Sequence, residues 1–254
     1  MNKLIFFDTE TTGNTEKDFL VQIAYKYDSG SFVGLYKPEI KIPPEASAIH
    51  HIINKMVADK PTFKESTDQP IIKKLFEDKD SVVVAHNAPF DLMIIEKEDI
   101  KPNKFICTLR VARELDKEDK IERYNLQYLR YLLDLDVEAV AHDAMGDVLV
   151  LEKLFERLKN KIMAKSDEVG SPDASGEAFR EEGLSENQAI EKMIGISSHP
   201  SLLRSFGFGK HNGKKIEEVL ATDRGYLEWL LAQKLESDQI DEDWIYTLKH
   251  HLKK

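Results

Sequence analysis

Four carboxylates and one histidine stand in three separated clusters of the sequence. Asp8 and Glu10 lie in Phe7-Asp8-Thr9-Glu10-Thr11, Asp91 closes His86-Asn87-Ala88-Pro89-Phe90-Asp91, and His142 with Asp147 frames His142-Asp143-Ala144-Met145-Gly146-Asp147. Acids beside apolar strand segments need compensating positive charge, and two divalent cations would be the largest local charges available. Asp8 and Glu10 are two apart, so on a strand they share one face and could share a metal. The bland alternative is a strand running out into solvent. Asp91 falls in the first turn of a helix, where the helix dipole alone favours a carboxylate, and Asn87 reads equally well as an N-cap. Gly146 beside Asp147 costs ~1 kcal/mol in a helix relative to Ala, which makes sense where a backbone or ligand needs room. His86 reads as a hydrogen-bonded structural histidine and Asp143 as a helix N-cap, so neither is placed in the chemistry.

The elements that must hold these residues are legible in outline. Lys3 to Phe7 is a short apolar run consistent with a buried strand, and Phe19–Tyr27 and Phe32–Tyr36 read as two more, joined by Asp28-Ser29-Gly30-Ser31. Proline keeps Lys41-Ile42-Pro43-Pro44-Glu45 out of helix and central sheet. A helix is expected over Gln69–Glu77, a valine-rich strand over Ser81–Ala85 and a helix over Asn87–Glu96, with Pro89 tolerated in its first turn. Phe105-Ile106-Cys107 reads as a fifth strand, running into a helix to about Asp116. Asn125–Leu133 and Ala144–Lys159 carry apolar helical stripes, the second through Val148, Leu151, Leu154, Phe155 and Leu158. Strands first, then alternating strand and helix, predicts an α/β fold with a mixed sheet flanked by helices.

Composition shifts after Lys165. Residues 166–183 carry Gly, Pro, Ser and acids with few apolar side chains and read as a flexible acidic linker. Order returns over 184–254, with helices expected near Glu186–Gly195, Ile216–Ala221, Arg224–Lys234 and Glu242–Leu252. The reading is therefore two domains, 1–165 and a small, mainly helical 184–254. An apolar fraction of 41% across 254 residues supports a normal core. The single cysteine, Cys107, excludes an internal disulfide and suits a reducing compartment as a small buried hydrophobe. The apolar run before Asp8 is too short for a signal segment, and no run approaches the ~18–20 residues of a membrane span. The expected location is cytoplasmic. The net charge of −10 leaves no broad basic tract for phosphate neutralisation, although bound cations can bridge carboxylate and phosphate.

The order Asp8-x-Glu10, then HNAPFD ending at Asp91, then His142-x4-Asp147 resembles the DEDDh branch of the DnaQ-like 3′–5′ exonucleases, on a ribonuclease H-like five-stranded fold. The resemblance runs through residues 1 to about 160, with Lys37-Pro38 and Ala48-Ile49-His50-His51-Ile52 adding to it. It implies that Asp8, Glu10, Asp91 and Asp147 hold two Mg²⁺ or Mn²⁺ ions, and that His142 accepts the proton of the attacking water. Histidine at 142 disfavours the branch that uses tyrosine there. By the same analogy Thr9, Thr11 and the His50-His51 region touch the terminal nucleotide, although His51 stands where many relatives have glycine. A packed loop with a capping threonine is the structural alternative.

The C-terminal part resembles the small module that follows the nuclease domain in exonuclease X-like proteins, through Phe208-Gly209-Lys210-His211-Asn212-Gly213-Lys214-Lys215 and Gly225-Tyr226-Leu227-Glu228-Trp229-Leu230. Lys210, Lys214 and Lys215 could meet phosphate and Tyr226 or Trp229 could stack a base; a glycine turn with inward-packed aromatics is the competing reading. The interval from Gly207 to Gly213 is one residue too long for a P-loop, and no Ser or Thr follows Lys214. The resemblance implies 3′ ends of nucleic acid as partner, single-stranded DNA in repair or replication first, with replication or repair proteins as companions. Short RNA is an alternative, as is a role as a polymerase proofreading subunit. A nucleic-acid-binding protein that does not cut is the alternative from another class.

Overall fold

The computed structural model describes residues 2–137, 144–164, 183–239 and 241–253. His142, Asp143 and nearly all of the expected 166–183 linker lie outside them. The first strands are β1 (Lys3–Thr11), β2 (Leu20–Tyr27) and β3 (Gly30–Leu35), followed by helices α1 (Pro44–His50), α2 (Asn54–Val57) and α3 (Gln69–Phe76). Strand β4 (Ser81–Ala85) leads into α4 (Ala88–Lys97), and β5 (Phe105–Cys107) into α5 (Thr108–Leu115). Then come α6 (Leu126–Leu132), α7 (Ala144–Met163), α8 (Glu186–Ser197), α9 (Ile216–Thr222), α10 (Arg224–Glu236) and α11 (Glu242–Leu252). The sheet order is β3-β2-β1-β4-β5. β1, β2 and β3 pair antiparallel, whereas β1–β4 and β4–β5 are parallel. This is the mixed five-stranded sheet flanked by helices that a ribonuclease H-like fold calls for.

Alternation along each strand sorts its side chains to the two faces. Phe6, Val82, Val84 and Ile106 pack under α7, where Phe6 meets Phe155 edge-on at 5.2 Å. Ile5, Phe7, Val83 and Cys107 pack on the opposite face under α3 and α4, with Phe7 edge-on to Phe76 at 5.2 Å. The run Val82-Val83-Val84 is buried on both sides, as parallel central strands are. Removing either phenylalanine ring would cost about 3–5 kcal/mol.

β1 agrees with the sequence expectation: Asp8 and Glu10 lie on the strand, which runs past the apolar stretch to Thr11 while still paired with β2. Elsewhere the structure departs from it at several points. The β2–β3 turn is Asp28-Ser29 alone, since Tyr27 pairs with Gly30. Pro44 does not block a helix but opens α1 at its first position, where its missing N–H is no loss. Residues 184–254 do not share one core: α8 places Ala189, Ile190 and Met193 in the core under α7. There Ser197 Oγ accepts the N–H of Cys107 on the edge strand β5 at 2.8 Å. From Leu203 onward the chain builds a second cluster around Phe206, Ile216, Leu227, Trp244 and Leu248. Arg110 of α5, buried, ties this unit down through Asp243 at 3.3 Å and Glu242 at 2.6 Å, and donates as well to the Ser197 carbonyl at the end of α8 at 2.8 Å. Among the described residues no helix is long and apolar enough to cross a membrane.

Candidate metal centre

Unequal pairing of β1 creates the site. On the β2 side β1 is paired as far as Thr11↔Leu20, with an irregularity after Glu10; on the β4 side pairing stops at Phe6↔Val84. Beyond Ala85 the chain turns away into α4, so Phe7 to Thr11 border a notch at the carboxyl ends of the parallel strands. Clefts of α/β sheets form where neighbouring connections diverge in this way. Asp8 and Glu10 lie on the face of β1 that carries Phe6 towards α7, and Asp147 comes from the first turn of α7. One carboxylate oxygen from each of Asp8, Glu10 and Asp147 lies within 4.8 Å of the others.

Asp91 enters the notch from the first turn of α4 and is 4% exposed. Its Oδ1 accepts the Thr9 N–H at 3.1 Å and the Thr9 hydroxyl at 2.7 Å. Burial pushes Asp91 up to about 7, against the opposing effect of those hydrogen bonds. Asp8 is raised well above the ordinary carboxylate range, first by burial and then by the negative charges of Asp91, Glu10 and Asp147. Two buried acids, Asp8 and Asp91, held above the ordinary carboxylate range in a cluster of four are the electrostatic mark of a site completed by cations. An all-oxygen donor set suits hard divalent ions such as Mg²⁺ or Mn²⁺.

Of the other predicted residues, Thr9 and Thr11 stand on β1 and His51 ends α1. Thr9 spends its hydroxyl proton on Asp91, and Thr11 donates its own to the Gly13 carbonyl at 2.5 Å. Both therefore shape the strand end rather than pointing a free donor outward. His51 is exposed and caps α1 in the left-handed region at φ 62°, the conformation that favours glycine. Its neighbour His50 is buried: Nδ1 accepts the Ile52 N–H at 3.0 Å, so Nε2 donates to the Thr11 carbonyl at 3.2 Å and clamps β1 to α1. Burial lowers the His50 pKa and keeps the ring neutral.

His86 proves structural, with one ring nitrogen 2.9 Å from the Thr108 hydroxyl and the other 2.6 Å from the Tyr124 carbonyl. Burial lowers its pKa to about 4. Asn87 occupies the N-cap position of α4 at φ 64° but makes no side-chain cap bond. His142 lies outside the described residues. One residue of the site escaped the sequence reading: Gln127 of α6 donates from Nε2 to Asp147 Oδ1. It sits beside the apolar stripe of its helix and shows no chemical signature, so only the packing of α6 on α7 reveals it.

Residues 5–155 match the family described as Exonuclease, and residues 206–234 match the one described as Exodeoxyribonuclease X-like C-terminal. Over almost its whole length the chain is similar to exodeoxyribonuclease 10 of Escherichia coli (strain K12), 30% identical over 255 residues and covering 98% of each chain. DNA polymerase III subunit epsilon of Treponema pallidum (strain Nichols) is 32% identical over 161 residues, covering 59% of this chain and 73% of that one. Among solved structures, exonuclease X in complex with 5′ overhanging duplex DNA superposes with a TM-score of 0.55 at 26% identity, covering 76% of this chain and 99% of that one. E. coli exonuclease I in complex with a dT13 oligonucleotide shares the fold, with a TM-score of 0.52 at 20% identity over 63% of this chain and 42% of that one.

Proposed function

This chain belongs to the exonuclease family, as a DnaQ-like, metal-dependent 3′–5′ exonuclease of the exonuclease X kind, and we propose that it removes nucleotides from the 3′ ends of DNA, single strands first, during repair or replication. The observation that carries the reading is the convergence of Asp8, Glu10 and Asp147 within 4.8 Å, with Asp91 closing the same notch. In this reading Asp8, Glu10, Asp91 and Asp147 would together hold two divalent ions. Bound there, Mg²⁺ or Mn²⁺ ions supply charge neutralisation at the phosphodiester and acidify the attacking water.

The chain's own residues do the rest. His142 takes the proton of the attacking water, a role that suits an imidazole because its unperturbed pKa lies near neutrality. The water oxygen bonds to phosphorus as the bond to the 3′ oxygen of the preceding nucleotide breaks, so a nucleoside 5′-monophosphate leaves. Thr9 fixes the rotamer of Asp91, and His50 pins the end of β1 that carries Glu10. Exposed Ile49, Ile53 and Met56 on and beside α1 and α2 offer apolar surface to the terminal base, next to His51 and Thr11. The DNA preference rests on what the relatives are named for, namely an exodeoxyribonuclease and an exonuclease bound to DNA.

The test uses purified protein with Mg²⁺ or Mn²⁺ on 5′-labelled single strands of DNA and RNA, with Asp147→Ala alongside. A descending ladder from the 3′ end of DNA, abolished in the variant, is the expected result. A stronger ladder on RNA would replace the substrate, and no cleavage of either strand would leave a binding protein.

A further inference from the structure

The exonuclease reading makes no use of the outer face of the C-terminal unit. The inward side of α10 is Leu227, Leu230 and Leu231, all buried in the second core. Trp229 points away from that core and is 55% exposed, although indole is among the costliest side chains to leave in water. Its ring lies 5.4 Å from that of half-buried Tyr226, tilted by 34°. Tyr226 is held from several sides. The His211 ring meets it edge-on at 4.8 Å, and Lys210 Nζ stands 4.7 Å above its ring. His211 is itself fixed by Asp223 at 3.0 Å, which also receives Lys210 at 2.7 Å. The turn that lowers Lys210 onto the ring depends on Gly209, at φ 67°, where an added Cβ would come within 3.0 Å of the Tyr226 hydroxyl.

The segment that carries Lys210 and precedes α9 runs against the acidic balance of the molecule. Between Glu191 and Glu217 there is no aspartate or glutamate, although the chain holds 46 of them. The same stretch carries Arg204, Lys210, Lys214 and Lys215. Lys214 and Lys215 are exposed and form no ion pair among the described residues. A preorganised aromatic pair with Lys210 over one ring, followed in the chain by exposed Lys214 and Lys215, is an arrangement that can take unpaired bases and their phosphates. We infer that Tyr226 and Trp229, with Lys210, Lys214 and Lys215, form a second binding site for single-stranded nucleic acid, a stacking platform that holds the substrate strand away from the metal centre. The identity of the strand rests on the function proposed above; the site itself does not require cleavage.

Binding is therefore measured in EDTA, by fluorescence anisotropy of a labelled oligothymidylate of about 20 nucleotides, longer than the ~4–16 covered by one single-strand module. Trp229→Ala is expected to weaken binding about tenfold, the order seen when one stacking aromatic is lost. Lys214→Glu with Lys215→Glu should weaken it comparably and flatten its salt dependence. Tyr246→Ala, which removes another exposed aromatic on α11, should keep wild-type affinity. Because Trp244 is buried and Trp229 is not, stacking should also quench part of the indole emission of the unmodified protein. Wild-type affinity in both the Trp229 and the double lysine variants, or binding without any quench, overturns the platform. Binding without a cleavage ladder would refute the nuclease reading and leave the platform standing.

Discussion

Asp8 and Asp91 resist ionisation for a reason that makes their pH response opposite to that of most folded acids. Their folded values lie above the unfolded value of about 3.9, with Asp91 at about 7. The folded chain therefore binds more protons than the unfolded one, and metal-free stability falls as pH rises through that value. Between about pH 6.5 and 8 the histidines lowered by burial, His86 and His50, act in the opposite sense, because an unfolded imidazole of pKa about 6.5 still holds part of a proton at the lower end of the window. In EDTA the melting temperature of the wild type should therefore fall across this window relative to that of Asp8→Asn, which keeps both histidines, and added Mg²⁺ should restore more at the upper end. Asp8→Asn should flatten the dependence, melt above the wild type at pH 8 and lose turnover. Parallel wild-type and Asp8→Asn profiles would show Asp8 already ionised in the free protein. Gln127 makes a separate prediction. Residues that orient metal ligands typically contribute 10–100-fold to affinity, so Gln127→Ala should weaken Mn²⁺ binding about tenfold by calorimetry. Unchanged affinity would reduce its bond to Asp147 to packing.

At the scale of elements, the decisive feature is the unequal pairing of β1, which leaves Asp8 and Glu10 bordering a notch that α4 and α7 enter with one acid each. The apolar run from Leu4 to Phe7 made the strand readable, and the spacing of Asp8 and Glu10 already suited its continuation to an end at Thr11. Helix α1 was hidden by Pro43-Pro44, a pair that reads as a breaker unless the second proline falls at the first helical position. The end of α1 carries a measurable trace of function or drift. His51 holds a left-handed conformation that glycine adopts without strain, so His51→Gly should stabilise the fold by about 1 kcal/mol, read by urea denaturation. A loss of stability instead would mean that the imidazole makes a compensating contact at the site's rim.

At the scale of the molecule, the C-terminal unit is anchored by charge rather than by a broad apolar seam. Arg110 of α5 is buried against Glu242 and Asp243 at the start of α11, and Arg204 donates to the carbonyls of Arg113 and Asp116. Helix α8 belongs instead with the sheet, so two truncations should behave differently. A chain ending near residue 199 keeps Ala189, Ile190, Met193 and Ser197 in place, and should fold and retain metal-dependent cleavage with weaker strand binding. A chain ending near residue 183 exposes that core and frees the Cys107 N–H, and should melt several degrees lower. Equal melting of the two would show that α8 contributes nothing to the nuclease core.

The sequence alone determined the local and one-dimensional parts of this protein. Strand and helix periodicity, the types and order of the acidic residues, and the expectation of an α/β sheet all depend on neighbours along the chain, and Ser81–Ala85, Phe105–Cys107 and Glu242–Leu252 match their expected spans. Tertiary structure decided what depends on neighbours in space. It turned Thr9 from a free hydroxyl into the holder of Asp91, brought Gln127 onto Asp147, and moved α8 to the other core. It also left Trp229 in solvent while burying Trp244, two residues of one type in similar helices. Periodicity says that a helix has an inward face; which side is inward depends on the partner it packs against.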